Sequence, residues 1–255
     1  MPSTYSHYYF GHLVYQRLSN QKRVLIHNHR LFFDVGQNGA DVLLYHSAFK
    51  PSFISKQNQE IHHMTGIDFF TQIQKNAFLS KKHQVYIYGY ICHFVLDAYL
   101  HPYVEMYKDN HQVSHMLIER EFERYLLEKN HLNPLKYNLT NHIHITHQLC
   151  DVMSDFVKGA TQKDMKHTLQ KMKIMYCLTK ASSHLKRKLI YLWMDYYQKS
   201  YLKDFVFTKE SDSRCVQSNI ELEKLLLEAV DIAVDCIDRF DSNDLSHEIY
   251  NRIFG

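Results

Sequence analysis

Glycine and proline are scarce in this chain, which has seven Gly and four Pro among 255 residues. These numbers are roughly a third of ordinary usage. A sheet-rich protein needs turn residues about every 8–12 positions, so the scarcity favours long helices. We therefore predict an all-α protein in which residues 1–255 form a single domain.

Apolar periodicity and helix-breaking residues predict where the helices lie. They run from Ser3 or Thr4 to about Leu18, then at about 67–79, 82–101, 112–130, 142–158, 161–178, 181–203 and 217–239. We expect Pro102 to end one of them, because proline disfavours α geometry in the residue before it. Residues 24–28 and 31–35 fit short strands or a helix, and residues 51–59 are expected to form a loop.

Histidine is distributed unevenly, with 16 of the 19 His residues in the first 150 positions. Imidazole is the commonest protein ligand for metals near neutral pH. Helices beyond about residue 160 are instead rich in Lys and Leu. We predict that residues 1–158 carry metal ligands and that residues 159–255 supply supporting helices.

Charge and cysteine content narrow the class of protein. A net charge of +3 is too small to indicate nucleic-acid binding. Five widely spaced cysteines without a CxxC pair indicate reduced thiols. No secretory signal is visible in residues 1–10, and the most apolar window, residues 85–100, is too short to span a membrane. We expect a soluble, cytoplasmic protein.

The strongest local motif is His93-x3-Asp97-x3-His101. On a helix, a spacing of four places these groups along one stripe. Their apolar neighbours make burial costly unless the groups are paired or bind metal. The next predicted helix carries His115 and Glu119 at the same spacing, and neighbouring helices with such pairs are typical of metal-binding bundles. A hydrogen-bonded core His–Asp pair and a surface His–Glu pair are the structural alternatives.

Further ligand candidates lie upstream. They are His7 in the first helix, Asp41 after the Gly36–Gly39 bend, and the adjacent His62 and His63. A glycine-rich bend before a carboxylate commonly directs that side chain inward. The cluster of His142, His144 and His147 is interpreted as non-functional.

Taken in order, these residues match a known family. The series comprises Thr4-Tyr5-Ser6-His7, Gly39-Ala40-Asp41, His62/His63, His93-x3-Asp97-x3-His101 and His115-x3-Glu119. Over about residues 3–125 it resembles the zinc-dependent phospholipase C family, which includes bacterial phospholipase C, the amino-terminal domain of glycosylphosphatidylinositol phospholipase D and, more distantly, P1-type nucleases. The resemblance implies a multi-helix bundle that holds up to three zinc ions.

The resemblance also implies a role for each ligand. The first metal is bound by Asp41, His93, Asp97 and one of His62 and His63, of which we favour His62. Asp97 bridges to a second metal held by His7, and the remaining metal is bound by His101, His115 and Glu119. In secreted members an amino-terminal Trp completes one site. This chain begins Met1-Pro2-Ser3, which favours two metals over three.

The implied function is that of a metal-dependent, phospholipase C-like phosphoesterase. It hydrolyses a phosphodiester with a metal-activated water at a di- or trinuclear site, and Asp41 orients or deprotonates that water. The number of imidazoles favours Zn²⁺, with Fe or Mn as alternatives, over Mg²⁺. The substrate is expected to be a phospholipid headgroup or a soluble phosphodiester.

Three other functions stay open. A P1-type single-strand nuclease needs basic and aromatic groups along its cleft, and the near-neutral net charge argues against it. The chain could instead be a non-catalytic metal-binding helical module. A peripheral membrane contact could use the basic stretch His184–Lys188 together with Trp193 and Tyr196, although such a stretch is more often a solvated helix face.

Overall fold

The computed structural model describes residues 4–47 and 51–255, and within these residues the regular structure is helical. The all-α prediction is confirmed. Thr65 and Ile253 form an isolated antiparallel bridge. The α-helices in chain order are α1 (Thr4–Arg17), α2 (Asn20–Asn28), α3 (Arg30–Gly36), α4 (Phe53–His62), α5 (Gly66–Ala77), α6 (Lys81–His111), α7 (His115–Lys129), α8 (His147–Ser154), α9 (Gln162–Thr179), α10 (His184–Tyr196) and α11 (Val216–Phe240). Short 3-10 helices span Gly39–His46, Ser200–Phe205, Ser213–Cys215 and Glu248–Asn251.

Helix α6 is the central element. Nearly every side chain from Gln84 to Leu100 is buried, and α3 and α11 pack against it. The crossing with α3 is unusually close, because a Cβ on Gly36 would lie 2.2 Å from the Tyr86 carbonyl oxygen and one on Gly89 would lie 2.2 Å from that of Phe33. This contact brings the chain that follows α3 alongside the middle of α6.

Pro102 does not end a helix, contrary to the prediction. Helix α6 continues through it to His111. A proline inside a helix leaves the carbonyl four residues earlier without its usual donor. In this fold the Arg252 guanidinium donates to that carbonyl, Ala98 O, over 3.3 Å. A side chain from the far end of the sequence thus compensates for the missing hydrogen bond.

Other segments also differ from the predictions. Most of the expected loop at residues 51–59 belongs to α4, which begins with a capping box between Ser52 and Ser55. For residues 24–28 and 31–35 the sequence left short strands or a helix open, and the structure has helices there, α2 and α3. The helix expected at 142–158 is confined to α8, and the one expected at 181–203 is α10 followed by a 3-10 helix.

The main apolar core draws on both halves of the sequence, from Tyr5 to Phe254. Phe69, Phe70 and Phe94 contact Phe254, which is fully buried. A second, small cluster forms under α10. Among the described residues, no helix has the length and apolar character needed to cross a bilayer.

Candidate metal centre

Helix α6 presents His93, Asp97 and His101 along one buried stripe, as the spacing predicts. The Asp97 carboxylate lies 3.5 Å from His93 Nε2 and 3.9 Å from His101 Nε2. These distances are too long for good hydrogen bonds. Within the described part of the chain, both ring nitrogens of His93 and Oδ2 of Asp97 have no hydrogen-bond partner. Such buried polar atoms are rare, and a water molecule or an ion bound between them would satisfy them.

Helix α1 brings His7 to the same place. His7 Nε2 lies 3.2 Å from Asp97 Oδ1, and its ring centroid is 4.6 Å from that of His93. The first turn of α1 is fixed by two contacts: the Tyr5 amide donates to Glu123 Oε1 over 2.6 Å, and the Thr4 hydroxyl lies 2.7 Å from the Tyr176 hydroxyl. His7 therefore has a defined position although it lies near the start of the chain.

Asp41 enters through the bend at Gly39. Gly39 has φ = +47°, and a Cβ at this position would lie 1.9 Å from His93 Cδ2. Only glycine allows the backbone both this conformation and this approach. The bend places Asp41 so that it, His7, His93 and Asp97 each offer one ligand atom, all within 4.8 Å of one another.

The structure distinguishes between His62 and His63. His62 is buried at the end of α4, with Nε2 3.3 Å from Asp41 Oδ1, whereas His63 is exposed. His62 Nδ1 lies 2.8 Å from Asn58 O, so it must carry the proton that is donated to this carbonyl. In neutral His62 a lone pair on Nε2 then faces a carboxylate, and this arrangement requires a proton or a metal cation between the two groups.

A second set of ligand candidates lies beside the first. His115 Nε2 is 2.9 Å and His101 Nε2 is 3.4 Å from Glu119 Oε1. His115 also donates from Nδ1 to Glu105 Oε1 over 2.6 Å. His115 and Glu119 are partly exposed. We call His7, Asp41, His62, His93 and Asp97 the inner group, and His101, His115 and Glu119 the outer group.

At Asp97, His93 and Glu119 the charge state matches what metal ligands require. Burial opposes ionisation of Asp97, yet His93, His101 and His7 hold the pKa of its carboxyl well below the usual value. Burial lowers the pKa of His93 to about 3, so this imidazole is neutral. Burial also opposes ionisation of Glu119, but its histidine neighbours lower its pKa to about 2. Ionised carboxylates and neutral imidazole are the metal-binding forms.

The two groups meet at one cavity. His7, Asp97, His101 and Glu119 all line it, and it occupies about 320 Å³ including space open to solvent. Glu119 also borders a larger open cleft of about 560 Å³. The cleft is lined by Met116, Glu119, Arg120, Glu123, Pro134, Tyr137, Asn138, Leu139, Tyr176, Thr179, Lys180, Phe205 and Phe207.

The donor set fits a divalent transition metal. The two groups together offer five imidazoles and three carboxylates, and imidazole-rich sets suit Zn²⁺ or Fe rather than Mg²⁺. The orphaned nitrogens of His93 and the long distances around Asp97 leave room for a cation among the ligand atoms. In the structural alternative, a hydrogen-bonded His–Asp core pair, these atoms would be hydrogen-bonded to each other instead.

Two contacts of the site were not predicted from the sequence. His101 Nδ1 donates to Phe254 O over 3.3 Å, which directs Nε2 towards Asp97 and Glu119. A Cβ on Gly255 would lie 1.6 Å from the same nitrogen. Carbonyl partners of this kind commonly orient ligating histidines. No local motif marks residues 254 and 255, so only the fold reveals their proximity.

The remaining histidine cluster is not brought together as a site. His142 stacks on Tyr8 with 4.3 Å between ring centroids, and burial lowers its pKa to about 3. His144 and His147 are exposed.

Comparisons with protein-family models, with curated proteins and with solved structures find no match for this chain. The resemblance to the zinc-dependent phospholipase C family therefore stays a prediction. What supports the candidate site is the geometry of its residues.

Proposed function

We propose that this protein is a metal-dependent phosphoesterase of the phospholipase C type, with Zn²⁺ as its metal. The observation that carries the proposal is the meeting of two ligand groups at one cavity, which is lined by His7 and Asp97 of the inner group and by His101 and Glu119 of the outer group. The members of the two groups come from α1, α4, α6, α7 and the Gly39–His46 helix.

Each group has enough ligand atoms to bind metal by itself. The inner group would hold ions through its imidazoles and the carboxylates of Asp41 and Asp97. The outer group would hold one through His101, His115 and Glu119. Asp97 lies 3.2 Å from His7 Nε2 and 3.9 Å from His101 Nε2, which suits a carboxylate shared between metals. When bound, such ions polarise a phosphoryl oxygen and lower the pKa of water to about 7.

The protein's own groups would position the reactants. Asp41 is buried, and burial opposes its ionisation, yet the nearby His62 and His93 keep the pKa of its carboxyl well below the usual value. An ionised Asp41 can accept a hydrogen bond from a water molecule and orient it. The cleft beside Glu119 would receive the organic part of a phosphodiester, with Tyr137 and Phe205 among the aromatic walls and Lys180 near its edge.

The test is hydrolysis of chromogenic phosphate esters by the zinc-loaded protein. We expect bis(p-nitrophenyl) phosphate to be cleaved, and the Glu119→Gln rate to fall by more than the roughly 10- to 100-fold that changes outside the ligand shell cost. Glu128→Gln is the matched control, because Glu128 lies on the same helix with a largely exposed side chain. Lack of turnover on phosphodiesters and phosphomonoesters alike, in protein that retains zinc, would contradict the proposal.

One observation favours a second function, that of a non-catalytic metal-binding module. The inner group is almost completely buried, as structural metal sites usually are. In that case removal of the metal would unfold the protein, while no phosphoester would be hydrolysed. The same substrate panel, combined with thermal unfolding before and after chelation, separates the two functions.

A further inference from the structure

Helix α10 exposes an apolar face to solvent. Leu185, Leu189, Leu192 and Tyr196 follow one another at intervals of three or four residues, so they form one stripe with Trp193 at its side. Between 41% and 81% of each of these side chains is exposed. A surface helix normally turns its apolar stripe towards the core. We call these five residues the α10 stripe.

The α10 stripe belongs to a wider exposed apolar region. Lys186 Nζ donates to the carbonyls of Cys177 and Lys180, which holds the start of α10 against the end of α9. That end of α9 carries Ile174 and Leu178, both more than half exposed. Apolar patches of this kind mark interaction sites on soluble proteins.

Charge indicates what covers this surface. Residues 180–209 contain seven Lys or Arg and two Asp, a net charge of +5, whereas the whole chain has 30 basic and 27 acidic residues. Both aspartates already have partners: Asp195 pairs with Lys203 over 2.5 Å, and Asp204 accepts from Ser114 over 2.5 Å. Lys188 is exposed beside the stripe and has no ion-pair partner among residues 4–47 and 51–255.

We propose that the α10 stripe docks on an anionic lipid bilayer. Leucine and tryptophan on one face of a helix with basic residues beside them are the features of helices that lie in the membrane interface. The leucines would enter the boundary between headgroups and acyl chains, and Lys188 would reach lipid phosphates. A neutral or basic surface would leave the local positive charge without a counterpart. The inference does not depend on catalysis at the metal centre.

The docking helix also adjoins the open cleft. Lys180, which precedes α10, and Phe205, which follows it, both line the cleft beside Glu119. Binding of the stripe to a bilayer would therefore hold the mouth of the cleft close to the lipid surface.

Trp193 supplies a direct readout, because it is the only tryptophan in the chain. We expect its fluorescence to shift to shorter wavelength with phosphatidylcholine–phosphatidylserine vesicles, and brominated lipids to quench it. Pure phosphatidylcholine vesicles should bind more weakly, and high salt should reduce binding to the anionic vesicles. An unchanged Trp193 spectrum with both vesicle types would overturn the proposal.

A pair of double variants tests the stripe itself. Leu185→Ser/Leu189→Ser should weaken vesicle binding by about tenfold or more, since burying one leucine corresponds to roughly that factor. Leu79→Ser/Leu227→Ser is the matched control, because these leucines are similarly exposed elsewhere. Equal loss in both variants would contradict the assignment. It would also be contradicted if the wild type bound no vesicles but self-associated, and the stripe variant no longer did so. The latter result would make the stripe an interface between copies of this chain.

Two single variants complete the test. Lys188→Glu alters only an exposed charge and should weaken binding to anionic vesicles alone. Glu119→Gln, a change in the partly exposed outer group, should leave vesicle binding unchanged, which separates docking from the metal centre. If Lys188→Glu bound anionic vesicles as well as the wild type, the proposed charge complementarity would be wrong.

Discussion

The inner and outer groups both combine histidines with carboxylates, but they differ in burial and in hydrogen bonding. In the inner group, His93 is fully buried and both its ring nitrogens are orphaned within the described part of the chain. In the outer group, His115 is partly exposed and donates to two carboxylates, those of Glu105 and Glu119. Similar side chains thus lack hydrogen-bond partners in the inner group and have them in the outer group.

This difference indicates how each group depends on metal. Burying carboxylates and imidazoles without partners is costly, so the inner group should be stable only with a cation bound. The outer group can persist as a hydrogen-bonded ion pair when no metal is present. We therefore expect the inner group to bind metal tightly and to stabilise the fold, while the outer group exchanges its metal more readily beside the open cleft.

The largest effect is expected from Asp97→Asn, because Asp97 lies between the two groups. Loss of this carboxylate should reduce the metal content and lower phosphodiester hydrolysis by more than about 100-fold, the upper range for changes outside the ligand shell. Asp109→Asn is the control on the same helix, since its side chain is largely exposed. Metal analysis and rate measurements check both. Full metal content in Asp97→Asn would show that the groups do not share this ligand.

The next largest effect should come from Gly39→Ala, which disturbs the inner group alone. The added Cβ combines a strained positive φ with an overlap onto His93 and should cost about 3–5 kcal/mol of unfolding free energy. Gly159→Ala has a similar φ of +70° but a nearest contact of 3.3 Å, to Phe53, so it should cost about 1–2 kcal/mol. Urea unfolding measures both. Equal losses would mean that the approach to His93 does not matter.

A smaller effect is expected at His62, which contacts Asp41 at the edge of the inner group and lies outside the four residues whose ligand atoms are all within 4.8 Å of one another. His62→Ala should weaken metal binding by about 10- to 100-fold, which is the loss expected when a residue that supports a metal ligand is removed and the rest of the site remains. His63→Ala should leave it unchanged, because His63 is exposed. Competition with a chromogenic chelator provides the affinities. Equal affinities in the two variants would exclude His62 from the site.

The smallest effect concerns the outer group in metal-free protein. Burial opposes the charge on His115, but the carboxylates of Glu119 and Glu105 raise its pKa to about 9. Because the folded-state pKa lies above the unfolded value, the stabilisation is fully present below pH 6.5 and is lost as pH rises through 9. Chelated protein should lose about 1–2 kcal/mol of unfolding free energy between about pH 6 and pH 10, because water around the partly exposed His115 side chain screens part of the interaction. Urea unfolding of His115→Gln, which should lack this component, is the control. The same pH dependence in both proteins would contradict the assignment.

Features that depend on local spacing were predictable from the sequence. The stripe of His93, Asp97 and His101 follows from the helical repeat, and the pairing of His115 with Glu119 follows from the same spacing on α7. The all-α class follows from the scarcity of glycine and proline. Each of these inferences needs only residues that are close together in the chain.

Features that depend on distant contacts were not predictable. The rule that proline ends a helix failed at Pro102 because Arg252 supplies the missing donor to Ala98 O. The orientation of His101 depends on Phe254, which no motif marks. Sequence reasoning favoured His62 over His63, but the contact of His62 with Asp41 required the fold. Folding brings α1 and the residues that follow α11 together around α6.

The most direct measurement is a crystal structure of protein purified without chelators, with anomalous diffraction recorded at the zinc absorption edge. We expect an anomalous peak within the inner group, at about 2.0–2.2 Å from a nitrogen of His93 and an oxygen of Asp97. A well-ordered inner group without such a peak, in which His93 and Asp97 are hydrogen-bonded to each other instead, would contradict the metal centre and the function proposed for it.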